Sequence, residues 1–317
     1  MRKYQLIQIL LILVPCVSCC QGKQGSSANQ QNNIEVSTIF GGPEQVGVLE
    51  TGLITEASGI VVNSKIEKTI WVHNDSGNDP FLFLIDQNAN IRKRFYLAGI
   101  ENRDWEDITL GPGPESDKPY IYLGDIGDNL RIRDQKTIYR FPEPDVSADG
   151  HDHTDTIRNI ETFKIAYPDG NHDAEALMID PISQDLFIIS KDVKSPSVYR
   201  LPADSLTNSD HGNPIVLEHC GQVEISEDSM LGLITAGDIA ADGNEVLIKT
   251  YTKIYYWKKE DPEISICELL RSTPATLTYE PEPQGESIAF SPNRDGYYTL
   301  SEKRFGSTPI LLFYPRK

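Results

Sequence analysis

The sequence predicts an all-β protein built as one ring of repeated sheets, a β-propeller of five blades. Three observations point there. An acid-led opening, a second apolar run and a third aromatic-rich run recur in the same order five times between residues 56 and 314. Gly, Pro, Asn and Asp punctuate these runs, as turns between short antiparallel strands require. No long stretch spaces its apolar residues at the 3.6-residue period of an amphipathic helix.

The openings are EASGIVV from Glu56, WEDITLG from Trp105, AEALMID from Ala174, AGDIAAD from Ala236 and GESIAFS from Gly285. Aligned on their acids, they make Glu56, Glu106, Glu175, Asp238 and Glu286 equivalent, at separations of 50, 69, 63 and 48 residues. The second runs are TIWVHND, PYIYLGD, DLFIISKD, EVLIKTY and YYTLSEK, and the third are PFLFLID, KTIYRF, SVYRL, KIYYW and PILLFY. A fourth strand follows in units one to four, as in IRKRFYL at Ile91 and TFKIAYP at Thr162. Unit five has no room for one, so NIEVSTIF at residues 33–40 is expected to complete the last blade and close the ring. Six blades is the alternative, because the two longer intervals leave space for a short extra blade at residues 217–233. A β-sandwich explains the repeated order less well.

Ahead of the propeller, MRKYQLIQILLILVPCVSCC carries Arg2 and Lys3, then an apolar run too short to span a bilayer, then small residues and cysteines. That pattern is a signal peptide over residues 1–18. Its cysteines resemble the lipobox of bacterial lipoproteins, and Cys19, preceded by Ser18, fits the acylated position better than Cys20 or Cys16. The resemblance implies export and a lipid anchor in the bacterial cell envelope, with the outer membrane expected. QGKQGSSANQQNN then reads as a flexible tether over residues 19–33, and the propeller domain follows over 34–317. Only Cys220 and Cys267 lie in the domain, too few for a disulfide scaffold. Two buried free thiols are expected, with a single bridge as the alternative.

At 317 residues with 39% hydrophobic side chains, the chain can bury a large core. A formal charge of −18 excludes nucleic acid as the main partner and disfavours an anionic membrane surface. Cations, neutral glycans and basic partners suit it.

In a propeller the innermost strand of each blade begins at the central channel, on the face where the second strand ends. The five opening acids are therefore expected around one axis. The ends of the second strands add His73, Asn74 and Asp75; Asp125, Asp128 and Asn129; Lys191; Lys249 and Tyr251; and Glu302. Five carboxylates round a narrow channel repel each other and call for a proton, a lysine or a cation. Calcium takes six to eight oxygen ligands in an adaptable geometry, so Glu56, Asp75, Glu106, Glu175 and Asp238 are the candidate ligands. The bland alternative is that these groups make Asx turns and inter-blade hydrogen bonds.

Within HNDSGND, His73 is a candidate metal ligand or general base, although such a stretch more often forms a self-satisfied tight turn. LGDIGDN spaces oxygen ligands beside permissive glycines but lacks the EF-hand run and closing Glu. DGHDHTD at residues 149–155 reads as a solvated loop on the other face rather than a zinc site. Ser58, Ser76 and Ser287 sit in no nucleophile elbow.

The run ASGIVV, TIWVHNDSG, LFLID, RDWEDITLGPGP, YIYLGDIGDN, TIYRFPEP and DAEALMID resembles a group of secreted or lipid-anchored bacterial propeller proteins without an established activity. More distantly it is similar to NHL-type, gluconolactonase and paraoxonase propellers. That likeness implies a central calcium assisting lactone or ester hydrolysis, with Glu56 matching the first-blade acid and no one-for-one match for the ligand asparagines. Five-bladed glycosidases, whose inner strands carry three carboxylates, offer a comparison for Glu56, Glu106 and Glu175. Both analogies act at the level of fold. Two functions follow as expectations. One is a binding module whose acidic face holds a cation and a glycan, small molecule or protein. The other is a metal-assisted hydrolase of ester, lactone, phosphoester or glycosidic bonds, with Glu56, His73 and Glu175 as candidate catalytic groups.

Overall fold

The computed structural model describes residues 36–146, 154–207, 212–225, 229–304 and 306–317. The signal peptide, Cys19, the tether and most of DGHDHTD lie outside these residues.

Five sheets follow one another round a ring. From channel to rim, blade one is Ala57–Val62, Thr69–Asn74, Phe81–Asp86 and Ile91–Leu97. Blade two is Trp105–Gly111, Tyr120–Asp125, Lys136–Pro142 and Glu161–Ala166. Blade three is Ala174–Ile179, Leu186–Ser190, Ser197–Leu201 and Glu218–Gln222. Blade four is Ile234–Ile239, Glu245–Thr250, Ile254–Lys258 and Ala275–Leu277. Blade five is Gly285–Phe290, Gly296–Ser301, Ile310–Pro315 and, outermost, Glu44–Val48. Each inner strand packs on those of the two neighbouring blades, and blade five returns to blade one.

The ring is five blades, and the described residues within 217–233 add no sixth. Glu218–Gln222 is the outer strand of blade three, and Met230–Gly232 is a single 3-10 turn leading into blade four. Closure does come from the N-terminal side, with a corrected register. The strand completing blade five is EQVGV, Glu44–Val48, antiparallel to Ile310–Pro315. NIEVSTIF instead contributes Val36–Ser37 as a parallel fifth strand on blade four. Thr154–Ile157 and Ile215–Val216 are added the same way to blades one and two, so three outer edges are covered by chain from another unit.

Five hydrophobic clusters hold the ring, one at each junction between neighbouring blades. Blades one and two, for example, share Trp71, Leu84, Trp105, Ile121 and Phe141. Every blade is thus sandwiched on both faces. That is why the strands read as near-continuous apolar runs rather than alternating ones. Cys220 and Cys267 form a disulfide, which corrects the expectation of free thiols. The bridge ties the outer strand of blade three to the short helix Ile266–Leu270, whose capping box is Ser265 with Glu268.

Candidate functional site

Each inner strand starts with a β-bulge. The ladder skips one residue between Ala57 and Gly59, Trp105 and Asp107, Ala174 and Ala176, Ile234 and Ala236, and Gly285 and Ser287. Bulges re-aim side chains, and these turn Ser58, Glu106, Glu175, Thr235 and Glu286 out of the ladder at the start of each inner strand. This register corrects the equivalence of five acids. Glu106, Glu175 and Glu286 correspond to one another, while Glu56 lies two residues before the bulge of its blade and Asp238 three after. In their places Ser58 donates to the Glu106 carbonyl at 2.7 Å and Thr235 to the Gly285 carbonyl at 3.1 Å. Two of the five bulges therefore staple blades together with hydroxyls.

The tightest grouping of potential ligands among the described residues is Asp75, Asp104 and Glu106, each offering an oxygen within 4.8 Å of the others. Asp75 follows the second strand of blade one, and Asp104 and Glu106 flank the start of blade two. Asn102 fixes their spacing by donating to the carbonyls of Asn74 at 2.9 Å and Asp75 at 2.8 Å while accepting from the Trp105 amide. Gly127 packs on the same group. A Cβ there would stand 2.0 Å from Glu106 Oε1 and 2.7 Å from Asp104 Oδ2.

Crowding and desolvation dominate the electrostatics. Burial pushes Asp75 up to about 7; the Ser76 amide opposes this, and Glu286, Asp104 and Glu56 reinforce it. Asp104 is pushed up to about 6 by burial against the pull of Arg133, and Glu106 stands well above the carboxylate range through burial and the charges of Asp75 and Asp104. Two oxygens bound to one calcium ion at 2.3–2.6 Å can be no more than about 5 Å apart, so the 4.8 Å grouping fits that ion.

The other expected site residues fall into distinct settings. Glu56 is exposed and accepts from Asn78 Nδ2 at 2.7 Å. Glu175 is buried against Lys191, whose ammonium also lies over the Tyr251 ring at 5.7 Å. Glu286 accepts from Tyr251 Oη at 2.9 Å, and burial together with Glu286 keeps Glu302 protonated far above its ordinary range. Asp238 accepts from the amides of Ile239 and Phe290, and burial raises it to about 7. Beside it in the channel, Asp107 accepts from Ile108 and Leu177 at 2.8 and 2.9 Å and from Gly237 at 3.5 Å, joining three blades.

Asp125 pairs with Arg133. Asp128 accepts from the amides of Ile132 and Arg133 and from Lys136, which together hold it below its ordinary pKa despite its desolvation. Asn129 is exposed at the tip of that loop. Asn74 is spent on the backbone, accepting from Thr55 and Glu56 and donating to Leu53. Lys249 is fully buried over the Tyr279 ring, bonded to the Gly285 carbonyl, and lowered to about 8 by desolvation.

His73 is not at the mouth. It is fully buried edge-on to Trp105, its Nδ1 bonds the Asn74 carbonyl, and its Nε2 abuts Gly59 and has no partner. Desolvation lowers it to about 4, so it is a neutral core residue rather than a ligand or mouth base. Ser58 and Ser287 both donate to carbonyls, consistent with the absence of a nucleophile elbow. Sequence reasoning left Asp104 out of the ligand set. Its signal was present in DWE, where an acid stands two residues ahead of the acid that opens the blade.

No protein-family model matches the chain, and no curated protein does. Among solved structures, a luciferin-regenerating enzyme is similar at 14% identity over 86% of this chain and 95% of its own, with a TM-score of 0.49. Hydrazine synthase of Kuenenia stuttgartiensis is similar at 10% identity over 82% of this chain and 71% of its own, with a TM-score of 0.42.

Proposed function

We propose that this protein is a cation-dependent binding module of the bacterial cell envelope. Calcium sits at Asp75, Asp104 and Glu106, and a glycan, small molecule or protein binds beside it at the propeller mouth. The observation that carries the reading is the grouping of three carboxyls within 4.8 Å, two of them in the half-buried range and one buried. Three such groups cannot all ionise together without a compensating charge. A bound calcium ion supplies that charge and polarises a ligand oxygen; Asn102 and Gly127 keep the carboxyls in place to receive it. Export and anchoring through Cys19 are part of the proposal and rest on the N-terminal pattern, with the outer membrane as the destination.

Isothermal titration of calcium into the EDTA-treated protein tests the site. Saturable binding that is lost in Asp104→Asn and in Glu106→Gln supports the reading, and binding unaffected by both substitutions removes it. Metal-assisted hydrolysis is a second reading, favoured by Glu302, which is held protonated beside Glu286 and near Asp75 as a general acid would be. Screening ester, lactone, phosphoester and glycoside substrates with wild type and Glu302→Gln decides it. Turnover that persists in Glu302→Gln argues against that role.

A further inference from the structure

The large apolar side chains left in solvent are unevenly distributed. Leu53 is 48% exposed, Leu130 66%, Ile132 69%, Met230 63% and Leu231 58%, and all five stand on loops at the mouth end of the ring. Each loop is tied to a mouth residue. The Leu53 carbonyl accepts from Asn74, next to Asp75. Leu130 and Ile132 flank Arg131 in the loop whose Arg133 reaches Asp125 and Asp104. The Leu231 carbonyl accepts from Thr252, next to Tyr251 and its bond to Glu286. Elsewhere among the described residues Ile182 and Val216 are similarly exposed and Tyr96 and Ile39 less so, but these four stand singly, Ile182 in a turn between two strands of blade three and the others on or beside outer strands of separate blades.

Apolar groups rimming a charged well mark an interaction surface rather than a solvated one. The well keeps a surplus of negative charge. Asp75, Asp104 and Glu106 offer oxygens within 4.8 Å of one another, with Glu56 bonded to Asn78 and Glu286 bonded to Tyr251 at the same end, whereas Lys191 and Arg133 are already paired with Glu175 and Asp125. A divalent cation cancels two charges and leaves the well acidic.

We propose that the mouth docks an extended polypeptide segment in which lysine or arginine side chains alternate with large apolar ones. The basic groups enter the acidic well, and the apolar groups pack on Leu53, Leu130, Ile132, Met230 and Leu231. Charge complementarity selects this occupant. Anionic lipid and nucleic acid are repelled, and a neutral apolar chain leaves the carboxylates unpaired. The inference rests on the reading of the mouth as a binding site and names the class of partner.

The test is fluorescence anisotropy of the calcium-loaded full chain with a labelled leucine–lysine peptide, compared with oligolysine and a leucine–serine peptide of equal length. The mixed peptide is expected to bind at least about tenfold more tightly than either control. Leu130→Ser/Ile132→Ser and Met230→Ser/Leu231→Ser each weaken it by about tenfold or more, while Ile182→Ser does not. These positions are exposed, so the substitutions spare the fold. Calcium titration of the same variants separates the two readings. Lost peptide binding with intact calcium binding in the rim variants supports docking, and rim-dependent peptide binding by a wild-type chain that shows no saturable calcium binding sinks only the cation reading. Equal affinity for oligolysine, or rim variants that bind the mixed peptide normally, overturns the proposal. So does rim-dependent binding to phosphatidylcholine vesicles in place of the peptide, which assigns the surface to lipid.

Discussion

Calcium should stabilise this protein at pH 8 and hardly at all at pH 5. Without a cation, Asp75 and Asp104 release their protons near pH 7 and 6 in the folded state, against an ordinary value of 3.8. Between pH 4 and 7 the folded chain therefore binds more protons than the unfolded one, so stability falls as pH rises through that window and then levels off. At about 1.4 kcal/mol per pH unit, full ionisation costs about 4 kcal/mol at Asp75 and about 3 at Asp104. Both groups are partly solvated and their charges are coupled, so about half the sum, 3 to 4 kcal/mol, is the realistic size. For a domain this large that is roughly 6–10 °C in Tm. A calcium ion bound there would supply the missing charge at pH 8, whereas at pH 5 it would have to displace protons first. Differential scanning calorimetry at both pH values, with excess calcium or EDTA, reads the difference directly, and Asp104→Asn should abolish most of it. A calcium shift as large at pH 5 as at pH 8, or none at pH 8, would refute the reasoning.

Gly127→Ala should weaken calcium binding by at least about tenfold and cost about 1–3 kcal/mol, because the new methyl group overlaps Glu106 and Asp104. Titration calorimetry and urea unfolding measure the two effects. Asp107→Ala leaves the Ile108 and Leu177 amides without their buried acceptor and should cost about 2–4 kcal/mol with no loss of secondary structure by circular dichroism. Replacing Cys220 and Cys267 by Ser opens a link across 47 residues and should lower stability by up to about 4 kcal/mol, removing the sensitivity of Tm to reductant. Deleting residues 44–48 uncovers the outer edge of blade five, and size-exclusion chromatography should then show self-association.

Much of the blade architecture was readable because a sheet buried on both faces needs uninterrupted apolar strands, and those runs repeat. The register at the channel was not. AGDIAAD and GESIAFS look alike as strings, yet the bulge falls at Thr235 in one and at Glu286 in the other, which moves Asp238 three residues down its strand. EQVGV is short and weakly apolar beside NIEVSTIF, and only pairing geometry could select it as the closing strand. The disulfide was equally hidden, since the partners belong to different units and meet through the packing of a short helix on an outer strand.

By itself the sequence determined the all-β ring and the concentration of acids at one end of its strands, because strand period, turn chemistry and repeat order are local properties. Tertiary structure decided which acids meet. A bulge in each inner strand, Asn102 clamping the two carbonyls and the bare Cα of Gly127 bring Asp75, Asp104 and Glu106 within reach of one ion. Burial by the neighbouring blade, meanwhile, turned His73 into a neutral core residue. Distances of a few ångströms and the loss of water depend on chain segments far apart in sequence, and no local pattern encodes them.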